Sequence, residues 1–511
     1  MAKFVNSEES ISSSLLLWND KPTQVSIQET YNLKIWPITN ILNEGPINFN
    51  IPSQLKGMMT DINVVTKLKI QNGRVNITET QKSLSVVNNY GNSLWGLVDV
   101  KVDDRVDLTQ SMKNAYAYST FFNHALNSQS DREDYLFYNE LFKMDSGAKK
   151  SDAENTDVLT TDIDLILRDF NKNLGSLSDL DIENTITRRL EGSNDKAEPY
   201  TEHYHYAAYL RKFIKDGETK EKYWTNNFSK NSASGERAMR INKGQTITLS
   251  AKLQCPLFNT SKCLPTNMKI RVSLTKNQDK FLLIANTDSQ YNIHIEDVYL
   301  DVTYYRPREQ ILQIIEDRLQ KVPAPYFVSR PEIIIKPIPT SNRIIRLTDI
   351  FHDKIPPYAF FCLQKSNDFE GKINTNPFVF IPFKKFQFYV NGSPYFADPL
   401  EVSTVDGDGM YKDFGEYLRQ LYHVIGRDLK GNCLINSSNF QLNFMVGISF
   451  GADRSSTTDK HLNLQEKAST YLEIDMGINE TLIPDDMILI TYAVFDRQIQ
   501  IDSDRRVIII E

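Results

Sequence analysis

One short motif in the sequence matches a catalytic pattern. Residues 447–451 read GISFG and fit the Gly-x-Ser-x-Gly nucleophile elbow, in which a strand ends on a nucleophilic serine and a helix follows at once. The run FQLNFMV precedes Ser449, but the polar run ADRSSTTDKH follows where a helix is required. Asp459 and His461 are also too close in sequence to return from later strands as triad partners. A hydrolase using Ser449 is the weakest hypothesis, and we expect no catalytic residue and no enzyme activity.

Two other stretches resemble metal sites only in part. The run VDGDGMYKDFGE suggests a calcium loop, but an EF-hand aligned on Gly409 places Thr404 at the first ligand position and Gly415 where a bidentate glutamate is required. His203 and His205 would share one face of an extended segment, yet no third soft ligand lies nearby in sequence. We therefore predict no metal site and no cofactor.

The charge balance argues against a protein that coats nucleic acid. The chain has 65 Asp and Glu against 58 Lys and Arg, a net charge of -7 at pH 7, whereas phosphate neutralisation needs clustered basic residues. No G-x-x-x-x-G-K-[ST] phosphate loop occurs either. We expect no sequence-specific binding of nucleic acid.

Cysteine usage and the apolar runs bear on the compartment. The four cysteines form no Cys-x-x-Cys pair, which favours a reducing environment. The start, MAKFVNSEES, lacks the basic and apolar regions of a signal peptide, and no run approaches about 18 consecutive apolar residues. We therefore expect no membrane span.

Strands dominate the elements that must position these residues. Short alternating runs such as TYNLKI, INFNI, IHIEDVYLDVTYY, FQFYV, YLEID and MILITYAVFD are rich in β-branched and aromatic residues and are separated by Asn, Asp, Gly and Pro. KFLLIAN, NPFVFIPFKKFQFYVNG and NFQLNFMVGISF are also predicted to be strands. Four helices are predicted, in SMKNAYAYSTFFNHAL, DREDYLFYNELFKMD, PREQILQIIEDRLQK and YKDFGEYLRQLYHVIG. This pattern is typical of a sandwich or barrel.

A soft internal repeat indicates two similar units. The strand LVDVKV, the turn Asp103-Asp104 and the helix AYAYSTFFNHAL correspond to the strand FQFYV, the turn Asn391-Gly392 and the helix DFGEYLRQLYHV. Asn-Gly is a strong hairpin signal, and Asp-Asp is a weaker one. Two eight-stranded sandwiches in tandem would account for the length of 511 residues.

Short clusters of apolar residues lie near both termini, and each cluster has two possible interpretations. Leu15, Leu16, Leu17 and Trp18 stand in an otherwise polar arm, and Val507 and Ile508 begin the apolar final run VIII. Either group packs on its own domain, or it docks onto a neighbouring subunit by strand or arm exchange. We retain these six residues as candidate inter-subunit contacts.

Stretches spread over nearly the whole chain resemble one family. They are PTQVSIQETYNLKIWPIT, GPINFNIPS, NSLWGLVDVKVDDRVD, LQCPLFNTSKCLPTNMKIRVSLTKNQDKFLLI, DIFHDKIPPYAFFCLQKSNDFEGKINTNPFVFIPFKKFQFYVNGSPY and ITYAVFDRQIQIDSDRRVII. In number and order they resemble the double jelly-roll major capsid proteins of the Polinton/Maverick and adintovirus type, related to virophage capsid proteins and adenovirus hexon. The chain departs from the family at Asp103-Asp104, at Ser449 to Asp453 and in the polar excursion at 147–235.

The resemblance implies a fold and a domain organisation. The fold class is mainly β, with two tandem eight-stranded antiparallel jelly-roll sandwiches that carry inserted helices and long loops. The implied domains are an N-terminal arm at 1–21, a first jelly roll at 22–306 with an insertion at about 147–235, a linker helix at 307–321 and a second jelly roll at 322–511.

The resemblance also implies a function. A major capsid protein of this kind forms homotrimers, which are pseudo-hexagonal capsomers that tile an icosahedral shell beside penton and minor capsid proteins. Its place would be the virion, with synthesis in the host cytosol and assembly in the nucleus or cytoplasm. A carbohydrate-binding jelly-roll protein shares the architecture and stays open as the alternative.

Overall fold

The computed structural model describes most of the chain apart from its first residues and one long excursion. The described residues are 23–41, 45–54, 56–73, 75–76, 84–102, 106–107, 109–145, 232–241, 244–285, 290–338, 343–351, 354–371, 376–402, 414–425, 433–437, 439–440, 442–451, 462–463, 465–476 and 486–510.

Sixteen strands build the two halves of the chain. The first half contains β1 (Ile27–Ile35), β2 (Ile47–Ile51), β3 (Met58–Asn72), β4 (Trp95–Val102), β5 (Val106–Asp107), β6 (Ile247–Lys252), β7 (Ile270–Lys276) and β8 (Tyr291–Pro307). The second half contains β9 (Ala324–Pro337), β10 (Ile344–Thr348), β11 (Tyr358–Lys365), β12 (Lys385–Val390), β13 (Leu400–Glu401), β14 (Val446–Ser449), β15 (Thr470–Asp475) and β16 (Met487–Ile501). Short extra strands lie at Val75–Asn76, Ser85–Val86, Leu283–Ile284, Ser393–Pro394 and Val507–Ile510.

Helices occupy the connections between strands. They are α1 (Tyr90–Ser93), α2 (Ala115–Asn127), α3 (Glu133–Glu140), α4 (Ser232–Arg240), α5 (Asp279–Leu282), α6 (Glu309–Lys321), α7 (Ser366–Glu370) and α8 (Gly415–Ile425). The four helices expected from the sequence are present, each shorter at its start than the pattern indicated. The helix at the middle of the chain begins at Glu309, because Pro307 still belongs to β8.

The pairing of strands repeats from one half to the other. In the first half the sheets run in the order β1-β8-β3-β6 and β2-β7-β4-β5. In the second half they run β9-β16-β11-β14 and β10-β15-β12-β13. Adding eight to each label converts one set into the other, and every pair is antiparallel. This topology confirms two tandem eight-stranded sandwiches.

Sequence alternation accounts for the one-sided strands. Along β8 the side chains of Val298, Leu300 and Val302 are fully buried, whereas the residues between them are half-buried. Period-two alternation places these apolar side chains on the core face of the sheet. Across the second sandwich, the Phe361 ring on β11 lies 5.4 Å from the Phe388 ring on β12, so these two sheets enclose a common core.

The hairpin signal in the second half is confirmed. Asn391 and Gly392 both have positive φ, 50° and 79°, as a type I′ turn requires. They join Val390 to Ser393, which are paired in the ladder. In the first half β4 and β5 also pair as a hairpin, but three residues connect Val102 to Val106, and Asp103-Asp104 falls in this connection, outside the described residues.

Three predicted strands are wrong over part of their length, since strands occupy only Leu283–Ile284, Lys385–Val390 and Val446–Ser449 of them. KFLLIAN instead forms α5 followed by the two-residue strand Leu283–Ile284, which buries the adjacent Phe281 and Leu282 together. In NPFVFIPF, a single bridge from Ile381 to Leu363 replaces a strand, because Pro377 and Pro382 have no N–H to donate. The strand in NFQLNFMVGISF begins only at Val446, since the side chains of Asn439 and Asn443 bond the local backbone before it.

Candidate assembly surfaces

Helix α2 joins the two jelly rolls through aromatic side chains. The Phe121 ring stacks on Phe378 with centroids 4.4 Å apart and an interplanar angle of 11°. The Phe122 ring stacks on Phe380 at 5.6 Å, and Tyr118 lies 4.8 Å from Phe369. All of these rings are buried. Each stacked aromatic pair adds about 0.5–1.5 kcal/mol of stability beyond the burial of its surface area. The contact between the two jelly rolls therefore resembles a hydrophobic core and not a loose contact between domains.

Directed hydrogen bonds fix the register of that contact. Asn114 Nδ2 donates to the Phe369 carbonyl at 2.6 Å. Gln110 Nε2 donates to the Ile333 carbonyl at 2.8 Å, and its Oε1 accepts from the Ile333 N–H at 2.9 Å. The Gln110 side chain thus satisfies both the N–H and the carbonyl of Ile333 in β9. These two bonds fix the segment before α2 against the second sandwich.

The Tyr118 hydroxyl lies in the same contact. Its oxygen is 2.8 Å from Gln364 Oε1 and 2.9 Å from the Pro377 carbonyl. Burial raises the pKa of Tyr118 well above its ordinary value, and the hydrogen bond to Gln364 offsets that rise only in part. The phenol therefore stays protonated and serves as a donor to the second half of the chain.

A buried ion pair lies where the long excursion leaves and re-enters the fold. Arg237 on α4 is fully buried, and its Nη2 lies 2.7 Å from Asp145 Oδ1. The same guanidinium donates to the Val86 and Lys143 carbonyls, each at 3.1 Å. Asp145 Oδ2 accepts from Asn376 of the second half at 3.1 Å. Every partner of this charge is thus supplied by the fold, as a buried pair requires.

A second polar contact between the two halves involves helix α6. Arg505 lies in the turn before the last strand, and its Nη2 is 2.6 Å from Glu316 Oε2 on α6. Its Nε donates to the Thr266 carbonyl at 2.7 Å. Nearby, Tyr326 donates its hydroxyl to the Cys263 carbonyl at 2.8 Å. Arg505 therefore links the end of the chain to α6 and to the first half.

The structure places Ser449 in a sheet and not on a nucleophile elbow. Ser449 is the last residue of β14, is paired with Tyr358 in the ladder and is 4% exposed. The elbow instead holds its serine on a strained turn. The backbone carbonyl of Ser449 accepts from the Tyr395 hydroxyl at 2.7 Å. The loop expected to hold Asp459 and His461 lies outside the described residues.

The other sequence candidates divide between described and undescribed residues. Thr404, Gly409, His203, His205 and the arm residues Leu15, Leu16, Leu17 and Trp18 lie outside the described residues. Val507 is 9% exposed and packs within its own chain, whereas Ile508 is 47% exposed on the final strand. Of the two C-terminal candidates, only Ile508 has an exposed side chain.

The described residues contain neither a cluster of metal ligands nor a helix that could span a membrane. In the part of the chain that the structure describes, no three His, Cys, Asp or Glu side chains are grouped so as to hold a metal ion. Among the same residues, no helix has the length and apolar character needed to cross a membrane.

Sequence reasoning missed the residues that join the two halves. The sequence predicts a helix here but not that its residues contact the second half of the chain. The residues concerned are Gln110 and Asn114, which precede the helix, and Tyr118, Phe121 and Phe122, which belong to it. One signal was available, because the apolar and aromatic residues of AYAYSTFFNHAL cover the helix except for the stripe of Ser119 and Asn123, and so wide an apolar surface indicates a helix that is buried on most sides. No comparable signal marked Asn376 or Gln364.

The chain is similar to few proteins in sequence and to several in structure. No family model matches it. Uncharacterized protein F54H12.2 of Caenorhabditis elegans is 21% identical over 272 residues, which are 52% of this chain and 63% of that protein. The match therefore spans less than two thirds of that relative.

The similar solved structures are viral capsids. A chain of the Sputnik virophage cryo-EM structure matches with a TM-score of 0.53 and 11% identity, covering 99% of this chain and 93% of that one. PBCV-1 VP54, fitted into a reconstruction of Sputnik, matches with a TM-score of 0.51 and 10% identity, covering 97% and 99%. A chain of the PBCV-1 capsid model gives 0.50 and 10% over the same shares. This chain therefore has the double jelly-roll fold of these viral capsid proteins.

Proposed function

We propose that this chain is a major capsid protein that assembles as a homotrimer and tiles an icosahedral shell. The observation that carries the proposal is the repeated strand topology. The two sandwiches have the same strand order, and α2 packs them against each other. A chain with two equivalent sandwiches supplies six sandwich walls when three copies close about a threefold axis. Such a ring has a pseudo-hexagonal outline and near-equivalent edges, which suits a tiled lattice.

The proposal extends to place and partners. The partners are other copies of the chain, neighbouring capsomers, and penton and minor capsid proteins, with no sequence-specific nucleic-acid binding. The particle is a DNA virus or virus-like transposon of the Polinton/Maverick and adintovirus type. The protein acts in the virion after synthesis in the host cytosol and assembly in the nucleus or cytoplasm. The four arm residues Leu15 to Trp18 and the exposed Ile508 belong to the inter-subunit contacts, whereas Val507 is buried in its own chain and holds the strand that carries Ile508.

The proposal assigns no catalytic step to the chain. The ladder position of Ser449 supports this, since an exposed and strained serine is what the elbow needs.

One observation favours the carbohydrate-binding alternative. The rings of Tyr389 and Tyr471 are half-buried on an outer sheet face and stack at 4.1 Å with an interplanar angle of 8°. Aromatic rings on a sheet surface are a common platform for sugars. Each ring, however, turns one face to the other, which leaves less ring surface for a ligand.

The native mass of the purified full chain tests the capsid proposal. Light scattering after size exclusion should give 3 × 58.9 = 176.7 kDa for a trimer of 58.9 kDa chains. Electron microscopy of that peak should show particles with a hexagonal outline. A stable monomer that binds glycans would overturn the capsid proposal in favour of the alternative.

The arm residues need a separate experiment. Replacing Leu15, Leu16, Leu17 and Trp18 together by serine keeps the length of the arm and removes its apolar groups. We expect the trimer, or its assembly into larger particles, to weaken. The same mass and the same particles as the parent would show that these residues make no inter-subunit contact.

A further inference from the structure

Tyr389 and Tyr471 form the closest and most nearly parallel ring pair among the described residues. Their ring centroids lie 4.1 Å apart, and their planes differ by only 8°. The two residues stand directly opposite each other on the antiparallel strands β12 and β15. Side chains at opposite positions of a ladder point to the same face of the sheet, so both hydroxyl ends lead away from the backbone in the same direction.

The pair lies on the outer face of its sheet. The adjacent residues Phe388 and Leu472 point into the core and are fully buried, whereas Tyr389 and Tyr471 are only half-buried. Thr348, which is opposite Tyr471 on β10, is exposed. A reagent in solution can therefore reach the edges of both rings.

The chemistry open to two stacked phenols is oxidative coupling. Burial and the neighbouring Tyr471 and Glu473 side chains raise the pKa of Tyr389, and Arg346 opposes that rise only in part. The Tyr389 phenol therefore keeps its proton at neutral pH, and a one-electron oxidant removes an electron and a proton from it together. The product is a tyrosyl radical, whose unpaired electron is shared between the oxygen and ring carbons that include the two Cε atoms.

We propose that Tyr389 and Tyr471 are a site of oxidative cross-linking, at which a dityrosine bond locks β12 to β15. The oxidant is hydrogen peroxide, which a haem peroxidase uses to withdraw single electrons. Each phenol loses one electron and one proton, and the peroxide takes up both electrons and both protons and leaves as two molecules of water. The two radicals join through one Cε atom of each ring, and the hydrogen on each of these carbons moves to the oxygen of its own ring. The linked chain is thus lighter by two hydrogen atoms.

A second tyrosine pair in the chain is a matched control for this geometry. Tyr31 and Tyr304 also stand opposite each other, on β1 and β8, and their rings are also stacked. Their centroids are 5.5 Å apart, and Tyr304 is only 2% exposed. Two groups held in contact react as if each were at a very high local concentration, and this advantage falls as they move apart. We expect no link at the second pair, because its rings are farther apart and an oxidant cannot reach Tyr304.

The dityrosine bond would tie together two strands that no disulfide joins. All four cysteines of the chain are free. The bond would close the chain between residues 389 and 471 into a loop and so restrict the unfolded state, as a disulfide does. The inference does not depend on the proposed trimer, because both rings belong to one chain.

Peptide mapping of the oxidised full-length chain tests the site. The chain is treated with hydrogen peroxide and a haem peroxidase, and its proteolytic peptides are identified by mass spectrometry. We expect one linked pair of peptides that contains Tyr389 and Tyr471 and has lost two hydrogen atoms, in chains that still migrate as monomers on a denaturing gel. Tyr389→Phe and Tyr471→Phe keep two stacked rings but lack one phenol, so each variant should lose this linked pair completely. Tyr135→Phe, which changes an exposed tyrosine on α3, should form the link as the parent does.

The outcomes test the site and its effect separately. Absence of the linked pair from the treated parent, or an equal amount of linkage at Tyr31 and Tyr304, overturns the assignment of the site. A link found only in chains that migrate as dimers or larger species is a bond between copies and also overturns it. The urea midpoint of the parent should rise on treatment, whereas that of Tyr389→Phe should not. The same change in both proteins would refute the locking of β12 to β15.

Discussion

Phe121 of the first jelly roll and Phe378 of the second stack face to face, 4.4 Å between ring centroids. Both side chains are at most 2% exposed, so the contact is as dry as the interior of either sandwich. The two halves should therefore unfold together, since breaking either one exposes the rings of the other.

A double-mutant cycle tests this coupling. Phe121→Ala and Phe378→Ala should each lower the free energy of unfolding by about 3–5 kcal/mol, the usual cost of a buried phenylalanine. The double variant should lose less than the sum by about 0.5–1.5 kcal/mol, the worth of an aromatic pair. Urea unfolding followed by circular dichroism gives all three values. Tyr135→Ala, an exposed aromatic, should change stability by no more than about 0.5 kcal/mol, and two separate unfolding transitions would contradict the single body.

Gly371 should be intolerant of a side chain for two reasons. Its φ is +68°, and an added Cβ would lie 2.6 Å from Cβ of Phe281 in the other half of the chain. Gly371→Ala should cost about 2–4 kcal/mol, because backbone strain and overpacking add. Gly392 has a φ of +79° with nothing within 4 Å, so Gly392→Ala reports the backbone part alone, about 1–2 kcal/mol. Equal urea midpoints for the two variants would refute the steric contribution.

The Asp145–Arg237 pair should behave as a buried charge pair. Asp145→Ala leaves the Arg237 guanidinium buried without its counter-ion and should cost about 3–5 kcal/mol of unfolding free energy. Adding Arg237→Met should restore part of that loss, since no uncompensated charge remains. Lys143→Ala, which removes a more exposed ion pair with Glu236, should cost less than about 1 kcal/mol. A double variant no more stable than Asp145→Ala would contradict this account.

Alkaline pH should destabilise the fold through its buried thiols. Burial raises the pKa of Cys255 from 9.0 to about 12 and that of Cys433 to about 11. Above pH 9 the unfolded chain loses these protons while the folded chain keeps them, so stability falls as pH rises from 9 towards the folded pKa values. The fall is about 1.4 kcal/mol per pH unit for a fully buried thiol. Urea midpoints from pH 8 to 11 should fall less steeply in Cys255→Ala than in the parent, and parallel curves would exclude a contribution from Cys255.

Ser449→Ala should leave assembly unchanged. The ladder pairing and the bond from the Tyr395 hydroxyl use the backbone of Ser449, which alanine keeps, so the substitution should cost no more than about 1 kcal/mol of stability, with no change in trimer mass. An esterase activity present in the parent and absent from Ser449→Ala would reverse the assignment of a non-catalytic role.

The sequence by itself determined the local elements and their doubling. Alternation fixed strands such as β8, since Val298, Leu300 and Val302 are buried while Tyr299 and Asp301 between them are half-buried. Asn391-Gly392 fixed a hairpin because few other dipeptides adopt positive φ twice in succession. The match in strand, turn and helix order between the halves predicted two sandwiches without any knowledge of contacts between residues distant in sequence.

Only the tertiary structure decided what covers each sheet. Eight consecutive residues from Met487 to Val494 are buried on both faces of β16, because α2 lies over the face that alternation would leave to solvent. The same long-range contacts overruled the strand predictions around Phe378 and Phe281, whose rings meet α2 and not a sheet neighbour. Periodicity reports the surroundings of a single strand or helix. Which helix lies on which sheet depends on contacts between residues far apart in sequence, and no local pattern records them.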